Sequence, residues 1–63
     1  MGSREKRYVV QPHGCTIRAV VREIGDSYLA DYFDGQGMYM HSVESGPLKL
    51  EDFLARISHQ IRK

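Results

Sequence analysis

The chain has 63 residues, nine of them Lys or Arg and eight Asp or Glu, for a net charge of +1. A chain this short makes one domain, 1–63, and buries only about 60% of the surface its unfolded form exposes. Near-balanced charge excludes a strong general attraction for nucleic acid or anionic membrane, so binding of that kind needs a local patch.

Hydrophobic residues at 41% and charged ones at 27% are ordinary for a folded domain. Cys15 is the single cysteine, so no intrachain disulfide can form, and a reducing compartment is the simpler expectation. No apolar run approaches the roughly 18 residues of a membrane span, and no secretory signal core is visible. Met1-Gly2 opens as a myristoylation signal does, but Lys6 stands where Ser or Thr is expected. A soluble, cytoplasmic protein without membrane contact is expected.

Met1 to Lys6 is polar and charged, and reads as a flexible arm over 1–6. An antiparallel sheet is expected over 7–43. Its first strand is Arg7-Tyr8-Val9-Val10-Gln11, and Pro12-His13-Gly14 suits a three-residue hairpin loop. Cys15 to Ile24 alternates as a second strand, with Cys15, Ile17, Ala19 and Val21 on one side and Thr16, Arg18, Val20 and Arg22 on the other. Gly25-Asp26 has Gly first, as a type II′ turn requires. Ser27 to Phe33 is the third strand, Asp34-Gly35-Gln36-Gly37 turns the chain again, and Met38 to Val43 is the fourth.

Turn length sets register, and a slip of one residue exchanges the two faces. These turns place Val21 opposite Ala30, Arg18 opposite Phe33, Tyr32 opposite Met40, Asp31 opposite His41, Val9 opposite Ile17 and Tyr8 opposite Arg18. One face then collects Val9, Ile17, Ala19, Val21, Tyr28, Ala30, Tyr32, Met38 and Met40. The last element, over 48–62, has apolar residues at Leu50, Phe53, Leu54, Ile57 and Ile61, one stripe of a 3.6-residue helix. Lys49 is a poor N-cap, and Ser45 or Gly46 with Pro47 at the first helical position offers another start. The fold class predicted is α+β: a four-stranded antiparallel meander in order 1-2-3-4 with one C-terminal helix across one face.

The opposite sheet face carries the candidate site: Tyr8, Arg18, Arg22, Phe33, Tyr39 and His41. Aromatics beside arginines can stack bases and hold phosphates, and Arg4, Lys6 and Arg7 could add phosphate contacts. Contiguous aromatic and apolar surface on so small a domain also marks protein contacts. A small sheet always has one wet face as well, where Tyr and Arg form cross-strand pairs and Asp31 neutralises Arg18, Arg22 or His41 in part.

Catalysis and metal binding have little support. His13 and Cys15 flank a Gly turn as a base and a nucleophile would, but the expected register turns Cys15 toward the helix, where thiols are packing. His13, His41, His59 and Cys15 lack the spacings of a metal site, and Asp34-Gly35-Gln36-Gly37 lacks the alternating oxygens of a calcium loop. Met38 and Met40 read as core filler. No cofactor is expected.

From Tyr8 to Ile61 the strand order and terminal helix are similar in topology to the arm-binding N-terminal domains of tyrosine recombinases, which set a three-stranded sheet and one helix on DNA. No residue is carried over from that resemblance; what it implies is DNA contact. The residues favour a small non-enzymatic binding module using the open sheet face. A protein partner or a second copy of the chain is preferred over nucleic acid.

Overall fold

Two β-turn glycines and one amphipathic stripe account for most of the architecture of the computed structural model, which describes residues 6–63. Arg7–Val10 form β1, Arg18–Ile24 β2, Ser27–Phe33 β3, Tyr39–Glu44 β4 and Leu50–Arg62 α1. The strands make one antiparallel sheet in order β1-β2-β3-β4 with the helix on one face, so the predicted fold class holds. The arm expected at 1–6 lies outside the described residues, apart from Lys6, which is exposed and in no regular element.

The β2–β3 hairpin has the predicted register, Arg18 opposite Phe33 and Val21 opposite Ala30. Gly25 takes φ +57° while Asp26 keeps a negative φ, the signs a type II′ turn needs. Ala19, Val21, Ala30 and Tyr32 therefore share one face and are buried, with Ile17 and Tyr28 packed beside them.

On β1 the predicted register is overturned. Tyr8 lies opposite Val21, Val9 opposite Val20 and Val10 opposite Ala19. Cys15 donates its N–H to Pro12 O at 3.0 Å, closing a turn as expected. The chain does not enter the sheet there, however, because 15–17 stay outside the strands and β2 begins at Arg18. The longer connection shifts the pairing by an odd number of residues and turns the strand over. Tyr8 and Val10 now pack on the core, while Val9 is 62% exposed. Two large side chains inside instead of one is the favourable exchange.

The turn into β4 begins as predicted and then departs. Asp34 Oδ1 accepts from the N–H groups of both Gln36 and Met38 at 2.9 Å, and Gly37 takes φ +83°. Phe33 accordingly lies opposite Tyr39. A β-bulge follows, leaving Met40 without an opposite number, so Tyr32 faces His41 and Asp31 faces Ser42. Past Met40 every side chain of β4 is on the other face from the one expected. Val43 and His41 turn to the helix side, Ser42 and Glu44 away from it.

The helix begins after Lys49, whose side chain makes no capping bond, although Phe53 N–H reaches Lys49 O at 2.9 Å. Its start is thus at Leu50 and not at 48 or Pro47. Glu51 and Asp52 in the first turn and His59 and Arg62 in the last suit the dipole. Phe53 and Ile57 are each 1% exposed, with Leu48, Leu50, Leu54 and Ile61 packed around them. Ala19 and Ala30 admit the helix closely. It lies over β1 and β2, so the helix-side surface of β4 is left uncovered, with Met40 44% and Val43 38% exposed. Met38, expected in the core, is 64% exposed.

Ser45 is the one buried polar residue among those described. Its N–H donates to Tyr28 O at 2.8 Å and its hydroxyl oxygen accepts the N–H of Tyr28 at 2.9 Å. The end of β4 is thereby stitched to the start of β3 just before the chain leaves for the helix.

Candidate protein-interaction face

Alternation along β2, β3 and β4 decides which side chains reach the face opposite the helix. Even-numbered residues of β2 and odd-numbered ones of β3 project there, joined by Tyr39 and Ser42 of β4. Across the sheet this gives a row Arg18, Phe33, Tyr39 and beside it a row Val9, Val20, Asp31, Ser42.

The six candidate residues do not all meet. Arg18, Arg22, Phe33 and Tyr39 are brought together on this face. Tyr8 is not: the β1 offset turns it toward the helix, where it packs on the core. His41 is not either, because the bulge moves it to the helix side, where its ring stacks on Tyr32.

A hydrogen-bonded chain crosses three strands. Arg22 Nε donates to Asp31 Oδ2 at 3.0 Å, and the Ser42 hydroxyl donates to Asp31 Oδ1 at 2.6 Å. Tyr39 Oη lies 2.6 Å from Ser42 Oγ. Because Ser42 spends its single hydroxyl hydrogen on the carboxylate, the Tyr39 O–H donates to Ser42. Asp31 is only 16% exposed, so its two charge-assisted bonds are sheltered in part from water. Phe33 packs edge-on against Tyr39, with centroids 6.0 Å apart and planes at 69°.

The Tyr39 ring is thus held at both ends: its hydroxyl by Ser42, its edge by Phe33. It is nonetheless 59% exposed. Arg18, opposite Phe33, is exposed and in no ion pair among the described residues. Pairing of Arg22 with Asp31 is one of the neutralisations the sequence suggests. Ser42 escapes sequence reasoning, since only the bulge brings it across from Asp31.

Cys15 is a half-buried free thiol in the 11–17 connection, its carbonyl accepting from Gln11 Nε2 at 3.2 Å. Among the described residues, no three His, Cys, Asp or Glu side chains are grouped to hold a metal ion, and no helix is long and apolar enough to cross a membrane. No family model, curated protein or solved structure matches the chain, so geometry alone bears on its function.

Proposed function

We propose that this chain is a small non-enzymatic protein-binding module, and that the sheet face bearing Arg18, Phe33 and Tyr39 is its contact surface. The observation that supports this reading is the state of Tyr39, more than half exposed yet fixed by Ser42 and Phe33. A tyrosine oriented before binding loses little rotamer freedom on contact and offers both apolar area and a polar tip. Arg18 beside it adds the other side chain most enriched at binding hot spots. Val9 and Val20 extend the surface with apolar area.

Nucleic acid is the second reading, favoured by Arg18, exposed and in no ion pair among the described residues, next to Phe33 and Tyr39. It draws less support than the residue list first suggests, because Tyr8 and His41 lie on the far side and Asp31 neutralises Arg22.

Affinity capture with the whole chain as bait separates the two. A protein retained by the wild type, lost with Tyr39→Ala, and indifferent to nuclease supports the proposal, provided the variant keeps its NMR amide dispersion. Oligonucleotide binding that weakens steeply with salt and disappears in Arg18→Glu would support nucleic acid instead. Retention undiminished in Tyr39→Ala would remove the proposed contact.

A further inference from the structure

We infer that the groove between β4 and α1 is a binding site for a single-chain alkyl carboxylate, on the helix side of the sheet and independent of the contact face proposed above. Because α1 lies over β1 and β2, the helix-side surface of β4 is left as the floor of a groove of about 470 Å³. Tyr32, Met40 and Val43 of the sheet and Ile57 and Ile61 of the helix give it an apolar lining. Small-molecule sites have this volume and character, mostly apolar with a few polar groups that fix orientation.

The charged groups that face this groove are of one sign. Phe53, Arg56, Gln60 and Lys63 recur every three or four residues, so they form one row along the flank of the helix, and all four line the groove. Arg56 and Lys63 are in no ion pair among the described residues. Asp52 stands four residues before Arg56, the order in which an acid and a base pair readily on a helix, yet the arginine turns to the groove instead. Glu44 is the one acidic residue at the groove's edge. It lies opposite Leu29, so alternation sends its carboxylate to the other face of the sheet. What complements the row is therefore an anion. The planar fork of Arg56 matches the two oxygens of a carboxylate, and Gln60, one turn further on, adds an amide donor.

Shape narrows the ligand further. From Phe53 to Lys63 the row runs about 15 Å, at about 1.5 Å per residue. Spread over that length, 470 Å³ makes a channel about 6 Å wide. A docked helix is about 10–12 Å across with its side chains, too broad for it, whereas an unbranched hydrocarbon chain fits. With the carboxylate at Arg56 and Gln60, the tail lies along Met40, Val43 and Ile61. It covers two side chains that are otherwise 44% and 38% exposed, Met40 and Val43.

Titration of the whole, nitrogen-15-labelled chain with sodium octanoate and sodium decanoate, each below its micelle threshold, tests this by NMR. Saturable amide shifts are expected at His41, Val43, Arg56 and Gln60 and not at Val9, Val20 or Tyr39 on the other face, with a Kd of about 0.1–1 mM for decanoate. Going from octanoate to decanoate is expected to lower Kd about tenfold, since each buried methylene contributes up to about fourfold. Arg56 is exposed, so Arg56→Gln keeps the fold; it is expected to weaken octanoate about fivefold and to leave 1-octanol, which has no charge, unchanged. Val43→Asp sets a carboxylate in the groove at a side chain that is not packed on the core, and is expected to abolish decanoate binding. Should that variant not fold, the contrast between octanoate and octanol in Arg56→Gln decides alone. Shifts centred on the opposite face, a Kd indifferent to chain length, or octanoate bound as tightly by Arg56→Gln as by the wild type would each overturn the inference.

Discussion

His41 lies flat on Tyr32, ring centroids 4.7 Å apart and planes within 8°. The hairpin turn by itself would have set Met40 there. The bulge at Met40 creates the stack, and the stack covers one side of a tyrosine that is only 6% exposed. Burial pushes the Tyr32 phenol above its ordinary 10.0 by penalising the phenolate.

That shift has a sign for stability. The folded state holds the Tyr32 proton more tightly than the unfolded one. The resulting stabilisation is complete below pH 10.0 and is lost as pH climbs through the folded-state pKa. Thermal melts between about pH 9 and 11.5 are expected to show Tm falling more steeply in the wild type than in Tyr32→Phe, which keeps the ring and removes the proton. Equal slopes in the two proteins would contradict it.

Phe53 and Ile57 carry the helix. Both are essentially buried, with Ala19 and Ala30 beneath, and neither alanine can swell to refill a void. Ile57→Ala is expected to cost about 2–5 kcal/mol and Phe53→Ala about 3–5 kcal/mol. Against the roughly 5–15 kcal/mol of a small domain, either brings the fold close to collapse. Urea titration followed by circular dichroism measures the loss; a midpoint within a few tenths molar of wild type would refute the packing.

Ser45 is expected to be costly out of proportion to its size. Ser45→Ala leaves the Tyr28 N–H without its acceptor in a site only 4% exposed. An orphaned buried donor costs about 1–3 kcal/mol. Amide exchange adds a local check: protection at Tyr28 is expected to drop further than protection at Ala30 on the same strand, whereas a uniform change would point to general loosening.

Much of this molecule is legible from residue order. The helix stripe reads directly because Leu50, Phe53, Leu54, Ile57 and Ile61 fit no other period, and the β2–β3 hairpin because Gly25 leaves one turn type. The outer strands resist for different reasons. Tyr8-Val9-Val10 is apolar throughout, so either parity makes an acceptable strand, and because 11–17 stays unpaired the turn at Pro12-His13-Gly14 does not set which one forms. Along β4, Met40 and Val43 differ in parity, so an apolar residue is available to either face, and no residue type announces a bulge. These two ambiguities displaced Tyr8 and His41 from the candidate face. Arg18, Arg22, Phe33 and Tyr39 stayed because they hang on the hairpin and on the first pair after the next turn.

The same two features set how the chain tolerates insertion and deletion. The connection at 11–17 is slack: a residue added there changes the length of an unpaired span without altering what β1 or β2 presents. The bulge is a spare residue. Excising Met40 alone would remove the one residue of β4 without a partner, so Tyr32 would still face His41, Asp31 would still face Ser42 and Ala30 would still face Val43, in a ladder without a bulge. One missing codon there would thus leave the chain both its ordered tyrosine and the side chains of β4 on the faces they now hold.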